Sequence, residues 1–139
     1  MKIPEIYFQL VKKFKNGGSL KRNYDQFENP LDTELGTIFI SKEQIYAEGA
    51  EMLTYFDVDE DYHTQHKLSD NELKYYLGGG YSLENSLCFA TDGSDCPFCM
   101  DFTNCNIPEI IYWDDGVLQW RKIANTVEDF FNLFNPNEY

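Results

Sequence analysis

The chain has 139 residues, 17% of them aromatic, and a formal net charge of −13. That length is near the commonest size of one domain and is enough to bury a core, and so high an aromatic content excludes a disordered chain. No apolar run approaches the ~20 residues of a membrane span; the start, Met1-Lys-Ile-Pro-Glu5, places Pro and an acid where a secretory leader needs an uninterrupted apolar stretch, so the expected compartment is the cytoplasm. The charge is also unevenly placed. Residues 1–24 hold six bases and one acid, a net +5, whereas residues 25–139 hold five bases and 23 acids, a net −18. Such a surface repels nucleic acid and anionic membranes and attracts basic partners. The plainer alternative is that the acidity only maintains solubility.

In chain order, Ile6, Tyr7, Leu10, Val11 and Phe14 share one helical face, with Lys12, Lys13 and Lys15 opposite it or at its end. The lysines suit the negative end of the helix dipole. Pro4 fits the first turn and Gly17-Gly18 the stop. Residues 20–35 read as a long loop, with room for a short strand. Gly36-Thr-Ile-Phe-Ile40 reads as a buried strand. Ser41-x-x-Gln44 is a capping-box pattern opening a second helix to about Leu53, weakened by Gly49. Ser69-x-x-Glu72 repeats the pattern ahead of a short helix that Gly78-Gly79-Gly80 ends. Residues 86–91, 98–103, 108–113 and 117–122 then read as a four-strand antiparallel meander, with Asp92-Gly93 and Asp115-Gly116 as turn signals. Thr126-x-x-Asp129 caps a last helix with Val127, Phe130, Phe131 and Phe134 on its apolar side. The expectation is an α+β fold: one domain, residues 1–139, with a central, mostly antiparallel sheet flanked by N- and C-terminal helices.

Chemistry-bearing motifs are few. Four cysteines fall within residues 88–105, and Cys96-Pro-Phe-Cys99 forms a C-x-x-C. A structural zinc site needs four ligands, usually as two paired clusters; here Cys88 and Cys105 stand alone, and His63 and His66 lie well upstream. The C-x-x-C precedes a strand, where thioredoxin-type chemistry wants it at a helix N-terminus. Reduced thiols without metal or cofactor are expected. Asp57-x-Asp59-x-Asp61 begins like a calcium loop, but Tyr62 and Leu68 stand where that loop needs Gly and Glu. The glycine run is followed by no Lys-Ser/Thr, so it is no phosphate loop. Ser94 lacks a nucleophile elbow. No residue is assigned a catalytic role. What remains is an acidic, aromatic-bearing surface: Tyr55, Phe56, Asp57, Asp59, Glu60 and Asp61 in one run, and Trp113, Asp114 and Asp115 at a turn. Rigid rings and carboxylates together suit a basic protein partner. For the acidic run the plainer reading is a solvated loop, and for Trp113 and Trp120 a cross-strand pair in the core.

Both ends of the chain resemble the SUKH superfamily, which takes in yeast cell-wall synthesis regulators and many bacterial toxin-immunity proteins. Ile3-Pro4-Glu5-Ile6-Tyr7-Phe8, followed by Leu10, Phe14 and Asn16-Gly17-Gly18, is similar to that family's "Leu-Pro-x-x-Tyr" helix and Asn-Gly-Gly turn. Cys88 to Phe102, Ile110-Ile-Tyr-Trp-Asp-Asp-Gly116 and Ile123 to Phe134 resemble its closing strands, its Tyr/Trp-Asp strand and its "Ala-x-Ser/Thr-Phe-x-x-Phe" helix. Residues 20–84 resemble it poorly. The resemblance makes Asp101 a recurrent position with a structural hydrogen-bonding role. It implies a non-enzymatic protein that binds and blocks a cognate toxin domain, a basic nuclease-type one given the acidic surface. The alternative it offers is a regulatory or scaffold protein like the cell-wall regulators. Members carry a further helix ahead of the "Leu-Pro-x-x-Tyr" segment. Here Ile3-Pro4 stands next to the start, and the expectation is a domain without that helix, which can leave a groove exposed. The toxin, the binding face and the oligomeric state stay open.

Overall fold

The computed structural model describes residues 1–54, 76–77, 83–116 and 118–138. Helix α1 (Glu5–Leu10) follows the apolar spacing at the front and runs on as a tighter turn, Val11–Phe14, so that Tyr7, Val11 and Phe14 are buried. Pro4 caps it, where a missing N–H costs nothing. The helix is ended by Gly17, whose φ is +82° and whose added Cβ would stand 2.3 Å from the Leu35 carbonyl oxygen. No other residue type fits that turn.

The segment expected to be a loop supplies two short strands, β1 (Gly18–Leu20) and β2 (Glu34–Leu35), paired antiparallel. The expected strand at 36–40 is reduced to β3 (Thr37–Ile38), which lies at a sheet edge with Thr37 and Ile40 exposed. Among the described residues only β4 pairs with it, and exposed Thr37 and Ile40 flank buried Ile38 and Phe39, so the segment is half-buried.

The cap at Ser41 is formed, although the return bond of the expected capping box goes to Ile40, the residue ahead of the N-cap. Ser41 Oγ accepts from the Gln44 N–H at 3.2 Å, and Gln44 Oε1 accepts in return from the Ile40 N–H at 3.1 Å. Helix α2 (Lys42–Gln44) widens into a π turn, Ile45–Gly49, and continues as α3 (Ala50–Leu53). Gly49 weakens a helix by propensity, but a Cβ there would fall 2.3 Å from the Cys88 carbonyl oxygen. Its missing side chain lets the helix rest directly on the sheet backbone.

The meander is present as β4 (Ser86–Thr91), β5 (Pro97–Asp101), β6 (Glu109–Asp114) and β7 (Gln119–Ala124). With β3 it makes a five-stranded antiparallel sheet in the order β3-β4-β5-β6-β7. Strand β7 starts two residues later than the sequence pattern suggests, because Leu118 takes a left-handed φ of 52° and lengthens the turn. Every residue of β4 and β5 is buried, so the sheet is covered on both faces.

Thr126 Oγ1 accepts from the Asp129 N–H at 3.1 Å and opens α4 (Val127–Phe131). Phe134 is not on this helix, contrary to expectation. The chain leaves the helix before it and forms β8 (Phe134–Pro136), which pairs with β1 and completes a second sheet, β2-β1-β8. Pro136 explains the break: it cannot continue a helix, and it pushes the residue before it to extended backbone. Phe134 is still 1% exposed. Its ring lies 5.2 Å from Phe130, which in turn contacts Phe89 at 5.2 Å and Phe98 at 5.3 Å. Tyr7 and Phe14 of the N-terminal helix reach Phe131 at 5.9 and 4.9 Å. The two terminal helices therefore meet over one face of the large sheet, as an α+β domain with flanking helices requires.

Candidate binding surface and its buried supports

The β6–β7 turn is built outward from a tryptophan pair. Trp113 and Trp120 are cross-strand partners with ring centroids 5.4 Å apart, edge to face. They are 3% and 1% exposed. Trp113 is thus a core residue whose outward reach is its indole N–H, which donates to Asp115 Oδ1 at 3.2 Å. Asp114 Oδ1 accepts from the Gly116 N–H at 3.0 Å, while its Oδ2 accepts from the Tyr76 hydroxyl and lies 3.8 Å from Arg121 Nη1. Asp114 is half-buried and Asp115 exposed. Two adjacent carboxylates are held in fixed directions at the end of a rigid hairpin. The other six residues of the expected surface, Tyr55, Phe56, Asp57, Asp59, Glu60 and Asp61, lie outside the described residues, as do His63, His66, the Ser69-x-x-Glu72 pattern and Gly78–Gly80.

Beneath the turn runs a buried ion pair. Arg121 Nη2 is 2.9 Å from Asp25 Oδ2, with side chains 5% and 0% exposed. Asp25 also accepts from the Phe27 and Asn29 N–H groups at 2.8 and 3.0 Å, so it shapes the loop between β1 and β2 and fastens it to the sheet. A second buried carboxylate, Asp92, organises the β4–β5 turn. Its Oδ1 accepts from the Ser94 and Cys96 N–H groups at 2.8 and 2.9 Å. Its Oδ2 accepts from Thr33 Oγ1 at 3.3 Å and from the Tyr112 hydroxyl. Burial, then the hydrogen bond to Asp92, pushes the Tyr112 hydroxyl well above its ordinary pKa. Asp101 plays the structural part expected of it and accepts from the Thr103 N–H and Oγ1 at 3.0 and 2.6 Å. The sequence reading missed Arg121, Asp25 and the linking role of Asp92. The available signal was an arginine that alternation places on the same side of the strand as Ile123.

The cysteines divide by burial. Cys88 and Cys99 face each other across β4 and β5, Cys96 sits in the turn between them, and Cys105 is exposed. Burial, reinforced by Asp92, pushes the Cys96 thiol up to about 12, and burial with a hydrogen bond to Cys88 raises Cys99 as well. Thiols held protonated are poor nucleophiles. Among the described residues no group of His, Cys, Asp or Glu is gathered to hold a metal ion. A cleft of about 700 Å³ separates Met1–Glu5 from Phe102 and Ile107; among the described residues the ionisable side chains that line it are Lys2 and Glu5.

Among the described residues, buried carboxylates hold loops, Asp115 stands exposed at the turn, and the Cys96 and Cys99 thiols are kept protonated. The chain belongs to the SMI1/KNR4 family (SUKH-1), whose family model matches residues 1–133. Members are in general immunity or regulatory proteins without enzymatic activity, and membership supports a protein-binding role of that kind. No curated protein and no solved structure matches the chain. Among the described residues no helix is long and apolar enough to cross a membrane.

Proposed function

We propose that the protein is a cytoplasmic immunity protein that binds a basic, nuclease-type toxin domain and blocks its active-site cleft. The charge distribution carries this reading: a net −18 over residues 25–139, in a family of binding proteins. An enzyme that acts on a polyanion needs a basic cleft, and an acidic surface fits such a cleft and excludes the substrate by occupying its place. The turn with half-buried Asp114 and exposed Asp115 and the run Asp57–Asp61, with Tyr55, Phe56 and Trp113, are the proposed contact residues. Of these, Trp113 would act from below, by holding Asp115.

The test begins with the cognate partner, found by pull-down or from a neighbouring gene. Charge steering can raise association rates by about 10–1000-fold and weakens with salt, as the Debye length falls from about 10 Å at 0.1 M to about 3 Å at 1 M. Neutralising Asp57, Asp59, Glu60 and Asp61 to Asn or Gln should slow association at low salt, and so should the double change Asp114→Asn/Asp115→Asn. Wild-type rates in both variants, together with a wild-type rate insensitive to salt, would sink the acidic-surface mechanism. A partner that proves to be an enzyme or scaffold of cell-wall synthesis would favour the regulator reading over immunity.

A further inference from the structure

The basic minority of this acidic chain is gathered in space as well as in sequence. A cleft of about 290 Å³ lies between the end of the N-terminal helix and β8, with Lys13 and Lys21 on its rim, Phe14 and Phe134 in its floor and Asn132 and Asn135 along its side. Among the described residues no carboxylate lines it, although acids outnumber bases 24 to 11 in the whole chain. Lys12, Lys13, Lys15 and Lys21 are exposed, and among the described residues none of them is within ion-pair distance of an acid. Arg22, next along, is different: its guanidinium is 2.8 Å from Glu28. The helix dipole accounts for lysines at the end of the helix. It does not account for Lys21, which follows β1 and reaches the same cleft from another element.

We propose that this cleft docks an extended acidic segment of a partner protein, in which carboxylates meet Lys13 and Lys21 and an intervening apolar side chain rests over Phe14 and Phe134. The side-chain amides of Asn132 and Asn135, both exposed, are placed to bond the segment's backbone. Charge complementarity selects this occupant. A nucleic acid duplex carries one charge per ~1.7 Å and would be repelled by the −18 on the rest of the molecule. A second copy brings its own net −13. A short acidic segment brings only the few charges that the lysines can meet. The cleft shares no residue with the Asp114-Asp115 turn, and the proposal does not depend on the immunity reading.

The test uses the full chain and a short fluorescein-labelled peptide of alternating Glu and Val, followed by fluorescence anisotropy at low salt. A peptide of alternating Gln and Val is the control. The Glu peptide should bind saturably and the Gln peptide should not. A Lys13→Glu/Lys21→Glu double variant should bind about tenfold more weakly, consistent with two exposed charge contacts turned from attraction to repulsion, while Lys2→Glu should bind as the wild type does. Circular dichroism of the variants checks that the fold is kept. The proposal fails if the Glu peptide does not saturate, or if the double variant binds it with wild-type affinity. It also fails if a single-stranded oligonucleotide of similar length competes better than the peptide. Concentration-dependent self-association lost in the double variant would assign the cleft to a second copy instead.

Discussion

Asp25 and Arg121 bring opposite charges into a place from which water is almost excluded, and the two side chains depend on each other. Without Arg121, Asp25 would keep only its backbone N–H donors, and without Asp25, Arg121 would lose its nearest carboxylate and keep Asp114 at 3.8 Å. Removing one partner of such a pair costs about 3–5 kcal/mol. Asp25→Ala should approach that figure in a urea titration, since it also frees the Phe27 and Asn29 N–H groups. The double change Asp25→Leu/Arg121→Met should cost less than the sum of the single changes, because neither charge is left behind. A loss under about 1 kcal/mol for Asp25→Ala would mean that water reaches the pair. The thiols give a second check at this scale. Cys105 alone is exposed, so brief treatment of native protein with iodoacetamide should label Cys105, and mass spectrometry should find Cys88, Cys96 and Cys99 unmodified until denaturant is added. Fast labelling of Cys96 would contradict its buried, protonated state.

Among the elements, the closing segment is the most exacting. Phe130 is anchored by three aromatic neighbours from the sheet and from β8, and Phe134 by two. Either Phe→Ala change should cost about 3–5 kcal/mol, as full truncation of a buried aromatic does. A denaturant midpoint shifted by far less would place these rings outside the core. The meander strands, the capped helices at Ser41 and Thr126 and the burial of both phenylalanines could be read in the sequence, because alternation, caps and Asp-Gly turns are local signals. The placement of Phe134 could not be read from spacing. Its i, i+4 relation to Phe130 matches a helix, and only Pro136, two residues on, argues for the strand that forms. β1 and β2 were equally hidden, since two- and three-residue strands carry no period and exist only because distant segments pair with them. At the candidate surface the sequence offered Trp113 both as a contact residue and as half of a cross-strand core pair with Trp120, and the core pair is what forms. Trp120 draws the Trp113 ring inward, and the indole N–H alone faces the turn.

For the molecule as a whole, pH dependence follows from groups that folding holds neutral. The Tyr7, Cys96, Cys99 and Tyr112 hydroxyls and thiols all have pKa values raised by burial. The unfolded chain therefore loses these protons first as pH rises. Stability contributed by Cys96 is fully present below its ordinary value of 9.0 and is lost as pH climbs toward about 12. Thermal melts should show a stability that holds through neutral pH and falls on the alkaline side of about 9. Cys96→Ala should lessen that fall, and an alkaline limb identical in the variant would exclude the thiol as a contributor. The small sheet has a consequence of another kind, in time. Ser19 pairs with Asn135, so β1 has no β8 beside it until residues 134–136 have been made. The meander can assemble from hairpins between neighbours, but closing the small sheet means drawing together segments far apart in sequence, the slowest sort of contact for a chain to find. A chain still on the ribosome, or clipped ahead of Phe134, would carry a finished meander while Gly18–Leu20 waits with one edge unpaired.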